Sequence, residues 1–286
     1  MFPRVISLFV ALACFLLVQN RAEAQKEQLF ETIDSRNDQA WERARQIWKW
    51  AEPGYQEVKS SKLLAEDLKA AGFKIKQEVA GIPTAFTATY GEGEPVIGVL
   101  GEFDALPGLN QQASAERARL EDSKTDYGHG CGHHLFGVAS AEACVAIAQQ
   151  IKAGTLKGTV RFYGCPAEEG GSAKVFMVQA GLFKDCATVL HWHPSSVNSA
   201  GDRSTLARNA VKFRFHGKAA HAAGAPELGR SALDAVELTN FAAQLLREHT
   251  PDGTRIHHVI TAGGGAPNVV PDFAEVYYYI RHPKSD

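Results

Sequence analysis

The stretch Gly128-His129-Gly130-Cys131-Gly132-His133-His134 constrains this chain more than any other, because it sets one thiol and three imidazoles among three glycines. Glycine lets the backbone turn tightly enough for neighbouring side chains to face a common centre. Such a stretch reads as a tight loop. Thiolate and imidazole are the ligand types of zinc and similar divalent ions. Two further clusters follow, Pro166-Ala167-Glu168-Glu169-Gly170-Gly171 and His191-Trp192-His193-Pro194. Together the three supply a soft ligand, imidazoles and a carboxylate pair, the inventory of a metal-assisted hydrolase.

The pattern around these clusters points to an α/β fold. Residues from about Gln28 to Gly72 read as helical, with Trp41, Ala44, Ile47 and Trp48, then Leu63, Leu64 and Leu68, at helical spacing. Strand-like runs follow at Ala85–Tyr90 and Pro95–Gly101, the second immediately trailed by Glu102 and Asp104. Gln111–Tyr127 is a polar connection, and Leu135–Ala153 reads as a long helix directly after the His/Cys loop. Thr159–Cys165 is a buried strand, Ser172–Ala180 a helix, and Ala187–His193 a third strand. Strands alternate with helices, and chemically useful residues cluster after strand ends, as in open α/β sheets whose sites lie at the carboxyl edge. Near Ser199 the pattern changes. Strands at Ala210–His216, Arg255–Ala262 and Phe273–Arg281, with an amphipathic helix at Ser231–Glu248, describe a separate small α+β unit. The expected organisation is a leader at 1–24, a catalytic part at 25–200 and a small second domain at 201–286.

Arg4, the apolar run Val5–Val18 and Ala22-Glu23-Ala24 fit a cleaved targeting segment, which implies an exported protein, periplasmic or secreted. The run is short for a membrane span of about 20 residues, so no membrane association is expected after cleavage. Lys plus Arg total 30 and Asp plus Glu 32, with no basic block, so nothing suggests a nucleic-acid partner. Cys144 and Cys165 sit in apolar helix- and strand-like contexts and read as buried free thiols.

The clusters leave three chemistries open. A Cys-x-His pair in a glycine-rich loop could hold a metal, and the lack of a second closely spaced knuckle favours a catalytic site over a structural one. Cys131 could instead be a nucleophile activated by His193 or His221. A non-catalytic metal- or ligand-binding protein is the third reading. In the pair Glu168-Glu169, adjacent carboxylates point in different directions, so one could bind metal while the other faces an attacking water. His191 and His193 bracket Trp192, and a period-two strand would turn both to one side. Asp104 reads as the group that orients a ligand histidine through its second ring nitrogen.

These residues in this order resemble the aminoacylase/glutamate-carboxypeptidase family of dinuclear metallohydrolases. The nearest branch looks like the amidohydrolases that include aminobenzoyl-glutamate and indole-acetyl-amino-acid hydrolases. The resemblance rests on Cys131-Gly132-His133, Pro166–Gly171, Trp192-His193-Pro194, Gly217–Ala223, Gly229–Ala235 and Asn268–Asp272. It implies two divalent ions, Zn or Mn, held by Cys131, His133, Glu169 and His193, with Glu168 as general base. It further implies His221 as a lid histidine that stabilises the oxyanion, Asn268 and Arg281 as holders of a substrate carboxylate, a small N-acyl amino acid as substrate, and a homodimer formed through the lid domain. In that family the chain returns after the lid to complete the sheet and donate a last histidine. On the resemblance, this sequence is expected to stop inside the lid at Asp286, with both domains incomplete and His282 a poor substitute for that ligand.

Overall fold

The computed structural model describes residues 23–201 and 204–284. The expected leader covers 1–24, of which 1–22 lie outside the described residues. The chain divides into two compact units, residues 1–197 and 198–286.

The first unit is built on a five-stranded mixed sheet. Its helices are α1 (23–35), α2 (Asn37–Trp50), α3 (Val58–Ala70), α4 (His133–Lys152) and α5 (Ala173–Gln179). Its strands are β1 (Lys74–Gln77), β2 (Phe86–Glu92), β3 (Val96–Glu102), β4 (Gly158–Cys165) and β5 (Thr188–Leu190), in the order β1-β2-β4-β3-β5. β3 runs parallel to both β4 and β5, while β2 is antiparallel to β4 and to β1. A parallel trio needs helical crossovers, and α4 and α5 supply them. Ile47, Leu64, Leu68, Phe86, Phe162 and Val145 form the core on one face of the sheet; Tyr163, Cys165, Met177 and Val79 form it on the other. With both faces covered, β4 is buried along nearly its whole length rather than at alternate residues. Each fully buried large side chain of this kind contributes roughly 1.5–3 kcal/mol. The carboxyl ends of β3, β4 and β5 therefore meet at one edge, where Glu102, the turn after Cys165 and the segment after Leu190 lie side by side.

The helix expected across Gln28–Gly72 is broken. Ala51 closes α2 in the left-handed conformation (φ 42°), and α3 begins only at Val58. The intervening segment carries Pro53-Gly54, whose proline removes a helical donor. The third strand is also shorter than Ala187–His193: pairing ends at Leu190, and His191–His193 continue as irregular chain. β1 is too short and too polar to give a periodic signal in the sequence.

The second unit has a three-stranded antiparallel sheet, β6 (Ala207–His216), β7 (Arg255–Ala262) and β8 (Phe273–His282), in the order β6-β8-β7. Helix α6 (Ala232–Leu246) covers one face, packing Ala232 and Val236 on Ala274, Val276 and Tyr278. Ser231 caps it, its hydroxyl accepting from the Asp234 backbone N–H at 3.1 Å. Among the described residues no helix is long and apolar enough to cross a membrane.

Candidate metal centre

Gly132 adopts φ 80° immediately before α4, a conformation that costs glycine little, and so turns the His/Cys loop sharply into the helix. His133 opens α4 fully buried and points its ring at the strand edge. Its Nδ1 lies 2.9 Å from Asp104 Oδ1. The other oxygen of Asp104 accepts from the Glu169 backbone N–H at 2.8 Å. One buried carboxylate thus ties the helix start to the acidic turn. With Nδ1 donating to Asp104, Nε2 presents its lone pair.

That Nε2 faces three carboxylates: Glu102 Oε2 at 3.0 Å, Glu168 Oε2 at 3.9 Å and Glu169 Oε1 at 3.9 Å. His193 arrives from the far side, where its Nε2 meets Cys131 Sγ at 3.2 Å. The His193 Nδ1 lies 2.9 Å from the Pro194 carbonyl oxygen, which can only accept, so this ring too offers an unprotonated Nε2 to the centre. Ligating atoms of Cys131, His133 and His193 lie within 4.8 Å of one another, as do those of Glu102, His133 and Glu168.

The donors fit a divalent cation. His133 Nε2, Glu102 Oε2 and Glu169 Oε1 are buried and have no hydrogen-bond partner among the described residues. Buried polar atoms are normally satisfied, so three orphans converging on one point call for a positive charge there. The electrostatics agree. Burial alone would lower His133, but its bond to Asp104 and the charges of Asp104, Glu102 and Glu169 raise it. Burial and the neighbouring Glu169, Glu168 and Glu102 push the Cys131 thiol up to about 12, the opposite of what an activated nucleophile needs. A cation among these carboxylates reverses that balance and favours the thiolate.

Of the three loop imidazoles, only His133 enters the centre. His129 Nε2 lies 3.2 Å from the Ile47 carbonyl, and its ring packs on that of His134 at 5.0 Å. Burial, together with the charge of a neighbouring ring, lowers both: His129, beside His134, to about 3 and His134, beside His133, to about 4. Although β5 stops early, His191 and His193 both pack on Phe136, with ring centroids at 5.0 and 6.3 Å. His191 reaches toward Glu102, at 3.6 Å.

His221, Asn268 and Arg281 belong to the second unit. His221 Nδ1 accepts from the backbone N–H groups of Ala223 and Gly224 at 3.2 and 3.0 Å, and the Ala222 N–H donates to the Asn268 carbonyl at 3.0 Å. His221 and Asn268 are therefore neighbours, and both are exposed. Arg281 lies on β8, in register with Arg208 on one side and Arg255 on the other, its guanidinium 5.6 Å from the Tyr279 ring.

Residues 207–286 match the family described as "Peptidase dimerisation domain" of M20 type. The chain is 47% identical over 242 residues to one of the p-aminobenzoyl-glutamate hydrolase polypeptides of Escherichia coli K12, an alignment covering 84% of this chain and 50% of that protein. The chain belongs to the M20 peptidase family. Among solved M20-type folds, an aminobenzoyl-glutamate utilization protein from Klebsiella pneumoniae superposes with a TM-score of 0.65 at 22% identity, covering 90% of this chain and 70% of that one. A Bacillus subtilis protein described as a dinuclear metal binding peptidase of the M20 family superposes at 0.59 with 20% identity, covering 88% of this chain and 66% of that one. The chain spans half the length of its Escherichia coli relative.

Within this M20 site, sequence reasoning missed Glu102, Lys174 and Glu57. Glu102 is 1% exposed, and Lys174 and His191 hold its carboxyl at about 2 against the opposing effect of burial. Its signal was present, an acid directly after a buried strand, the same signal that singles out Glu168. Lys174, on α5, ion-pairs with Glu102, and nothing in its local sequence indicates that.

Proposed function

We propose that this chain carries the metal centre of a hydrolase that cleaves the amide bond of N-acyl amino acids of the aminobenzoyl-glutamate type. The single observation behind this reading is the convergence of three unpartnered buried atoms, on His133, Glu102 and Glu169, beside the Cys131–His193 pair. The name of the Escherichia coli relative supports the substrate class.

Two divalent ions would be held by Cys131, His133, Glu169 and His193, with Glu102 facing the same point. The thiolate favours zinc, and the carboxylates also suit manganese. Bound there, such ions polarise the scissile carbonyl and make water a stronger acid. Glu168 has the more exposed side chain of the acidic pair, 43% against 15% for Glu169, so it can meet solvent and substrate. It takes a proton from the attacking water and delivers one to the nitrogen of the leaving amine, so that water and amide become acid and amine. Asp104 and the Pro194 carbonyl hold the two histidines in the ligating tautomer throughout. His221 would stabilise the developing oxyanion. Asn268 and Arg281 would bind the substrate carboxylate, for which the guanidinium is suited. The catalytic part is assigned to 25–200 and the lid to 201–286, with a homodimer formed through the lid, in a protein exported by its leader.

The test is release of p-aminobenzoate from aminobenzoyl-glutamate by the purified chain before and after chelation. Chelator-sensitive turnover that returns on adding Zn²⁺ or Mn²⁺ supports the reading. Turnover that survives chelation but falls on thiol alkylation supports a Cys131 nucleophile instead.

A further inference from the structure

The break between α2 and α3 has a structural purpose. Segment 51–57 is locked to the start of α3: the Glu52 carboxylate accepts from the backbone N–H groups of Lys59 and Ser60 at 3.1 and 2.9 Å, capping that helix. It is then tied to both acid-bearing loops of the site. The Glu52 carbonyl accepts from the Ala105 N–H at 2.9 Å, next to Asp104. Tyr55 donates its hydroxyl proton to the Gly171 carbonyl at 2.7 Å. Glu57, with no solvent exposure, accepts from the Ala167 N–H at 2.7 Å and from the Thr84 hydroxyl at 3.0 Å.

The turn held in this way is strained. Ala167 and Ser172, on either side of the acidic pair, have φ of 51° and 55°, and Tyr55 has 65°. Left-handed backbone at residues with side chains persists only where the surroundings over-determine it. Gly54 permits the close approach of the two segments, since a Cβ there would meet Ala167 Cα at 3.0 Å.

We propose that segment 51–57, acting chiefly through Glu57, is a positioning element that fixes the Ala167–Gly171 turn so that Glu168 and Glu169 project toward His133. Glu57 touches neither the ligand atoms nor substrate; it acts through the Ala167 backbone. The functional consequence rests on the metallohydrolase reading above, whereas the positioning itself does not.

Two measurements on the full chain separate these. The first is hydrogen exchange of the peptide spanning 166–171 in wild type, Glu57→Ala, Glu57→Gln and Gly54→Ala, each checked for fold by far-UV circular dichroism. Glu57→Ala should speed exchange of this peptide at least about tenfold over the rest of the chain. Glu57→Gln should restore protection, since its amide oxygen still accepts from Ala167. Gly54→Ala, which intrudes from the other side, should loosen the turn even if Glu57→Ala fails to fold. The second is Co²⁺ titration read by the thiolate-to-cobalt absorption of Cys131. Glu57→Ala and Gly54→Ala should weaken apparent affinity by roughly tenfold, with rescue by Glu57→Gln. Unchanged exchange in both disruptive variants, or a Glu57→Gln as loose as Glu57→Ala, overturns the proposal. Altered exchange in these variants, with a wild-type chain that binds no Co²⁺, upholds the positioning and sinks the metallohydrolase reading instead.

Discussion

The two units carry their chemistry in opposite ways. In the first, Asp104, Glu102 and His133 are each at most 1% exposed, and each is fixed by specific partners on other elements. In the second, His221 and Asn268 stand exposed on loops, and the outer face of the sheet bears Lys212, Tyr277, Tyr279 and Arg208 beside Arg281. Its acid Glu275 is already satisfied by Lys212, Arg214 and Thr261. A dry, over-determined constellation is suited to bond-breaking, where preorganised charge is worth most. A solvated array of cations and phenols is suited to holding a ligand that comes and goes. Substitutions in the first unit should therefore alter metal and turnover, and those in the second should alter substrate affinity.

The largest effect expected is at Glu168. Glu168→Gln should lower turnover of aminobenzoyl-glutamate by about 100- to 10,000-fold while bound metal, measured by elemental analysis, stays at the wild-type level. Unchanged turnover would remove Glu168 from its role. Next is Asp104→Asn. Its two oxygens serve two N–H donors, and an amide can serve only one while opposing the other, so metal affinity by calorimetry should fall about 10- to 100-fold. Arg281→Lys keeps the charge but loses the planar fork; KM should rise about tenfold with metal affinity unmoved. A fall in metal affinity would break the contrast between the units.

The smallest effect concerns pH. Burial, reinforced by the charge of Asp104, pushes Glu57 up to about 7. A carboxyl raised on folding contributes stability that is fully present below its unfolded value near 4.5 and is lost as pH rises through about 7. Glu57→Gln cannot titrate, so the difference in melting temperature between wild type and variant should change by roughly a few degrees across that window. A constant difference would show that Glu57 does not titrate there.

Much of the molecule is legible in the residue pattern, and what is not has definite causes. β3, β4, α4, α6 and β7 declare themselves through long apolar runs or clear helical spacing. Cys131 and His133 announce themselves by residue type in a glycine-rich loop, Asp104, Glu168, Glu169 and His193 by residue type at or just past the ends of strand-like runs, and the fold brings them together. The break at 51–57 is masked because Trp41–Trp48 and Leu63–Leu68 share a helical period, although Pro53-Gly54 is a breaker signal. Glu57 cannot be singled out locally: its partners, Thr84 and Ala167, lie 27 and 110 residues away. The neutrality of His129 and His134 is equally a tertiary effect, arising first from burial and then from the charge of a neighbouring loop histidine.

Metal occupancy decides the rest. Elemental analysis of the folded chain after equilibration with Zn²⁺ and exhaustive dialysis should find two divalent ions per chain, with His133→Ala retaining fewer. A folded wild-type chain that retains none, or a His133→Ala variant that retains as many as wild type, would contradict a metal centre at this strand edge.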